Sequence, residues 1–159
     1  MVEIGEKIPK VELVDTELNL VNVKKEIKGK AAVLAFFPGA FTGVCTAELC
    51  KFRDSMAEFN SMNGSVYAIS VDGPFSNKGF KERNNLNFSI LSDYRRKAVK
   101  KFGVVLEDFA HLPGYTAAKR AVFVTDPKGI VRYKWVSDDP TVEPNYQEIK
   151  AALSSINSK

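Results

Sequence analysis

Residues 31–37 read Ala-Ala-Val-Leu-Ala-Phe-Phe, and residues 65–71 read Ser-Val-Tyr-Ala-Ile-Ser-Val. Neither run alternates apolar with polar positions as a half-solvated strand would, so both predict strands covered on both faces. Residues 121–125 and 131–136 flank Asp126, Pro127, Lys128 and Gly129, a cluster of turn formers that predicts a hairpin. Shorter runs at 11–15 and 19–23 predict a second hairpin near the start, with 24–28 as a connector. Elsewhere the rhythm changes to steps of three and four. Leu49, Phe52, Met56 and Phe59 predict a helix over 43–59, stopped by Asn63 and Gly64. Tyr146, Ile149, Leu153 and Ile156 predict a terminal helix over 145–156. Residues 75–85 read as a helix without a clean stripe, 88–91 as a short strand and 98–102 as a helix ended by Gly103. Residues 104–119, with Pro113 and Gly114, form a long irregular segment of the kind that often carries function.

This order predicts an α/β chain: a central mixed sheet with helices on both faces, preceded by a β-hairpin, in one domain over residues 1–159. A flavodoxin-like domain shares part of that order. No G-x-G-x-x-G turn follows either central strand, so dinucleotide binding is not expected.

Composition narrows the class. Apolar residues at 45% and charged residues at 26% are ordinary for a globular protein. No apolar run approaches the ~18 residues of a membrane span, and the first ten residues show no signal-peptide core. The expectation is a cytoplasmic protein with no membrane partner. Arg95, Arg96, Lys97, Lys100 and Lys101 account for much of the net charge of +4. They read as the solvated face of a helix, and no nucleic-acid partner is expected.

The chemistry concentrates between Pro38 and Cys50, where a predicted strand hands over to a predicted helix. Both cysteines of the chain lie there. Cys45 falls in the first helical turn, where unpaired amides and the helix dipole favour an anion, so its thiol is expected to be held as the reactive thiolate. The structural alternative is that Cys45 and Cys50 are small core side chains. One histidine, His111, and two cysteines do not complete a metal site, so neither metal nor cofactor is expected. His111 reads as a loop residue.

Pro38, Thr42 and Cys45 match P-x-x-x-T-x-x-C, the signature of peroxiredoxins, and the chain resembles that family over most of its length. The run Cys-Thr-Ala-Glu-Leu-Cys-Lys-Phe-Arg-Asp from Cys45 is similar to the Q-type branch, also called bacterioferritin comigratory protein. The run Phe-Pro-Gly-Ala-Phe-Thr-Gly-Val-Cys ending at Cys45 is closer to single-cysteine alkyl hydroperoxidases. The resemblance implies a thioredoxin-like fold and a thiol peroxidase acting on hydrogen peroxide and small organic hydroperoxides. Cys45 would be the peroxidatic residue. Thr42 would place a hydroxyl beside it, the backbone amide of Val44 would help hold the peroxide, and Pro38 would shield the pocket. Arg120, just before the Phe123-to-Asp126 strand end, would supply the cation, with Arg53 as second choice. Glu48, three residues after Cys45, would orient Arg120.

Cys50 would resolve the sulfenic acid as an intramolecular disulfide, to be recycled by a thioredoxin-like dithiol. In an α-helix, residues five apart have Cα atoms about 8–9 Å apart, beyond the ~7 Å that a disulfide tolerates, so the helix start must unwind first. A core role for Cys50 is the alternative. The competing class is a thioredoxin-fold disulfide oxidoreductase or chaperone-like redox module, but such proteins carry Cys-x-x-Cys, which is absent here. Apolar side chains in predicted loops, Phe41, Phe75, Phe109, Leu112 and Tyr115, favour a homodimer through the active-site edge.

Overall fold

The computed structural model describes residues 1–157. Seven strands form one sheet, in the order β2 (Leu20–Asn22), β1 (Glu12–Val14), β5 (Ser89–Ser92), β4 (Gly64–Ser70), β3 (Ala31–Phe36), β8 (Arg120–Thr125) and β9 (Val131–Ser137). The predicted central strands are β3 (Ala31–Phe36) and β4 (Gly64–Ser70), which pair in parallel from Ala31↔Gly64 to Phe36↔Ile69. Each is flanked by a further strand: β5 (Ser89–Ser92) lies parallel to β4, and β8 (Arg120–Thr125) lies antiparallel to β3. The hairpin partner of β8 is β9 (Val131–Ser137), with a bulge at Val124/Thr125. The N-terminal hairpin, β1 (Glu12–Val14) with β2 (Leu20–Asn22), joins the far edge through Val14↔Ser92.

Strand alternation divides the core in two. On one face Leu34, Phe36 and Phe123 pack with Phe102 of α5 (Lys97–Phe102) and with Val23 of α1 (Val23–Glu26). On the other, Val33, Ala35, Phe37, Val122 and Val124 pack against α2 (Gly43–Asp54), α3 (Met56–Ser61), α4 (Pro74–Arg83) and α6 (Tyr146–Asn157). The mixed sheet with helices on both faces is therefore observed, and it is the thioredoxin-like arrangement the resemblance implies.

Three elements differ from expectation. The segment read as a connector at 24–28 contains the one-turn helix α1, begun by Asn22, whose side chain accepts from the Lys25 amide at 3.3 Å. A side-chain cap is a local device that apolar spacing does not register. The helix expected over 43–59 breaks at Ser55, with φ −97° and ψ 0°. The apolar stripe nonetheless continues across the break, because Phe52, Met56 and Phe59 all face the same core. The irregular segment holds a small ribbon, β6 (Val105–Leu106) with β7 (Ala117–Ala118), and a 3₁₀ turn at Phe109–His111.

Gly103 ends α5 at φ +74°, the left-handed conformation that closes a helix without a Cβ penalty. Phe123 sits at 0% exposure, with its ring centroid 5.2 Å from that of Phe102 and 6.0 Å from that of Phe36. Phe123→Ala should therefore destabilise the fold by about 3–5 kcal/mol. Urea denaturation checks this: a midpoint within error of wild type would place the main core elsewhere.

Candidate active site

Cys45 owes its position to the end of β3. The Phe37 amide still bonds to the Ile69 carbonyl at 2.9 Å, and Pro38, lacking N–H, cannot continue the ladder. The chain then turns through residues 39–42 into α2. Two bonds hold the turn: the Ala40 amide donates to Asp72 Oδ2 at 2.8 Å, and the Thr42 hydroxyl donates to the Gly39 carbonyl at 2.7 Å. Phe41 takes φ +65°, a conformation that costs a bulky residue roughly 1–2 kcal/mol, so the turn is held by its anchors.

Thr42 occupies the N-cap position, but its side chain makes no capping bond. Its carbonyl accepts the first helical bond, from the Thr46 amide at 2.9 Å. The amides of Gly43, Val44 and Cys45 thus precede the intrahelical ladder and point out of the helix start. Cys45 itself is fully buried.

Sheet register delivers the cation. β8 runs antiparallel to β3 with Phe36 opposite Ala121, so Arg120 lies beside the point where β3 exits toward α2. Arg120 shares its strand face with Val122 and Val124, which pack on the α2 side. The guanidinium, in a residue only 1% exposed, uses three of its nitrogens. Nη1 donates to Glu48 Oε1 at 2.8 Å and Nη2 to Cys45 Sγ at 3.0 Å. Nη2 and Nε also donate to the Pro140 carbonyl, at 2.7 and 3.1 Å.

Glu48 is also fully buried, and its Oε2 has no hydrogen-bond partner among the described residues. Burial pushes its carboxyl up to about 7, against the opposing pull of Arg120. The Arg120 guanidinium is held above its ordinary value: burial alone would lower it, and the negative charges of Glu48 and Cys45 outweigh that penalty. One cation therefore serves two acidic groups in a space closed to water.

The sequence-derived candidates separate cleanly. Cys45, Arg120 and Glu48 form one bonded chain, and Pro38, Thr42 and Val44 frame it from the turn and the helix start. Arg53 does not join them. Its Nη1 donates to the Asn84 carbonyl at 2.7 Å and its Nε to Asp54 at 2.9 Å, at the other end of α2. Cys50 is half-buried, a free thiol 3.9 Å from Asn84 Oδ1. His111 lies exposed in its loop at φ +62°. Two contributors were not foreseen. Asp72 follows the apolar run 65–71, and nothing in its neighbours marks it as an anchor. The Pro140 carbonyl is a backbone group, for which sequence carries no signal.

The thioredoxin-like sheet thus holds a buried arginine bonded to a helix-start cysteine, an arrangement that can support thiol chemistry. The chain belongs to the AhpC/TSA family, whose model matches residues 4–134. It is 37% identical over 128 residues to the chloroplastic peroxiredoxin Q of Populus jackii, covering 80% of this chain and 57% of that protein. It is 30% identical over 134 residues to the putative peroxiredoxin bcp of Coxiella burnetii, covering 84% and 88%. Among solved structures, peroxidoxin BcpB from Mycobacterium tuberculosis superposes with a TM-score of 0.87 at 27% identity, covering 98% of this chain and 99% of that one. The chain thus spans little more than half the length of its plant relatives. The Q and bcp names agree with the branch that the run from Cys45 to Asp54 resembles.

The raised Glu48 carboxyl has a consequence for stability. Between 4.5 and about 7 the folded chain retains a proton that the unfolded chain releases. Stability from this group is therefore highest below that window, falls as pH rises through it, and is level above. In urea titrations across this range, Glu48→Gln should lose that part of the slope. A slope unchanged by the substitution would assign it to other groups.

Proposed function

We propose that this protein is a thiol-dependent peroxidase that reduces hydrogen peroxide and small organic hydroperoxides at Cys45, with the chain 1–159 acting as one domain. The observation that carries this reading is the 3.0 Å contact between Arg120 Nη2 and Cys45 Sγ inside a buried ion-pair chain. Attack by a sulfur lone pair on one peroxide oxygen breaks the O–O bond. The sulfur is oxidised by two electrons to a sulfenic acid, and the other oxygen departs as alkoxide or hydroxide and takes a proton. Negative charge thus moves from sulfur to the leaving oxygen. A fixed guanidinium and the helix-start amides, Val44 among them, can stabilise both ends without reorganising. The Thr42 hydroxyl can donate to the peroxide and accept from it, once it turns from the Gly39 carbonyl. Pro38 presents a wall without a competing N–H.

Cys50 would then attack the sulfenic sulfur, release water and form a disulfide for a thioredoxin-like dithiol to reduce. Both cysteines lie on α2, five residues apart, so this step requires part of the helix to open. A relative named thioredoxin-dependent peroxide reductase, from Bos taurus mitochondria and 36% identical over 136 residues, supports that class of reductant. A reducing compartment such as the cytoplasm fits this cycle and the bcp-type relative.

The homodimer reading rests on Phe41, Phe75, Leu112 and Tyr115, all exposed; Phe75 reaches 76%. Phe109 is half-buried, with its ring centroid 5.7 Å from that of Tyr115. Light scattering should give twice the chain mass at micromolar concentration, and 17.6 kDa in both redox states would exclude the dimer.

Cys45→Ser should abolish peroxide turnover, and Cys50→Ser should spare the first oxidation. Stopped-flow oxidation decides: turnover by Cys45→Ser at the wild-type rate would overturn the assignment. Arg120→Ala should slow that oxidation by about 100-fold or more, and it also leaves Glu48 buried without its partner, at a cost of about 3–5 kcal/mol. Arg120→Lys keeps the charge but not the planar fork, so it should fold better and still react slowly. A wild-type rate in folded Arg120→Lys would show that the bonded geometry is dispensable.

A further inference from the structure

The end of the sheet remote from Cys45 carries a feature that peroxide chemistry leaves unused. β3 begins there at Ala31, beside the end of β8 at Thr125. The six residues of β3 span about 20 Å between this end and the active-site turn. A cleft of about 390 Å³ opens at this end, lined by Lys7, Lys24, Lys28, Pro127, Lys128 and Gly129. Four of these six residues carry ammonium groups and none carries a carboxylate.

The four lysines come from three separate segments that backbone bonds tie together. The Ile8 amide donates to the Gly129 carbonyl at 3.1 Å, and the Gly29 amide donates to the Pro127 carbonyl at 3.0 Å. The turn between them is shaped by Asp126, whose Oδ1 accepts from the Lys128 and Ile130 amides at 2.9 and 3.1 Å. The cleft is thus preformed by the fold.

Neutralisation from within is missing. Lys30, Lys51, Lys78, Lys119, Lys134 and Lys150 each hold a carboxylate oxygen within 3.8 Å. Lys7, Lys24, Lys28 and Lys128 form no ion pair among the described residues. The nearby acids are engaged elsewhere: Asp126 Oδ2 with Arg132, Glu26 with Lys30 and the Tyr67 hydroxyl, and Glu6 with the Glu3 amide. Four like charges on the lining of one cleft, with no carboxylate among its lining residues, favour an anion there.

We infer that this cleft binds a small polyphosphate anion. Lysine meets phosphate as a point charge, and several such charges around one space suit a compact ligand with several negative groups. The volume falls within the range of small-molecule sites, roughly 300–1,000 Å³. Pro127 and the lysine stems are its apolar lining, so no aromatic or aliphatic wall would grip a nucleobase or an acyl chain. Recognition is therefore by charge, shared by inorganic polyphosphate and the phosphate chain of a nucleotide.

Isothermal titration of the reduced chain, residues 1–159, with sodium tripolyphosphate tests this. One saturable site is expected at low ionic strength, weakening at least tenfold at physiological salt as screening sets in. Lys24→Gln/Lys28→Gln should weaken it by about tenfold or more. Lys97→Gln/Lys101→Gln, in a second basic cleft that Glu12 also lines, should leave it unchanged. All four substitutions fall on exposed side chains, and equal thermal midpoints verify the fold. ATP should bind no more tightly than tripolyphosphate. Absence of saturable binding, equal weakening by both pairs, or ATP binding tenfold tighter would each overturn the assignment.

Discussion

The buried guanidinium of Arg120 is the constraint around which the active end of this protein is organised. An arginine cannot shed its charge inside a protein, so a core position is tolerable only if its donors are met. Glu48, the Cys45 sulfur and the Pro140 carbonyl meet them. The partners come from two parts of the chain: two from α2, one from the segment after β9. Satisfying one cation therefore clamps helix, sheet and loop together. The clamp also sets positive charge against the one sulfur that the proposed chemistry needs as an anion. In the proposed chemistry stability and reactivity would draw on the same bonds, with Glu48 and Cys45 sharing a single cation.

The helix that carries Cys45 answers to two opposing demands. Its first turn must be ordered to present amides and sulfur together, and Asp72 and the Gly39–Thr42 bond hold the approach to it. Its middle must give way if Cys50 is to reach Cys45. The break at Ser55 shows that the helix already ends early, although the apolar stripe runs on into α3. Beyond Cys50, the Arg53–Asn84 bond pins the last turns of α2 to the end of α4. The stretch that the proposed disulfide would need to open thus lies between a fastened loop and a fastened helix end.

The two ends of the sheet handle charge differently. At one, a single cation is desolvated and makes four hydrogen bonds. At the other, four exposed lysines share a cleft in water. High dielectric lets the second arrangement persist without partners, whereas burial would not.

Much of this was legible along the chain. Unbroken apolar runs marked β3, β4 and β8, because strands covered on both faces have no polar side to display. Steps of three and four marked α2, α3 and α6. Its strand-to-helix junction marked Cys45 as the candidate nucleophile, and spacing of three residues placed Glu48 on the same face. These signals are local, and local spacing determines them. Arg120 stood ahead of Arg53 by resemblance alone, and the antiparallel register of β3 with β8 is what brings it to the sulfur. The Pro140 carbonyl, the Asp72 anchor, the Asn84 contact and the lysine cleft likewise join segments distant in sequence. Packing and register decide such meetings, and neither is written in the neighbours of any one residue.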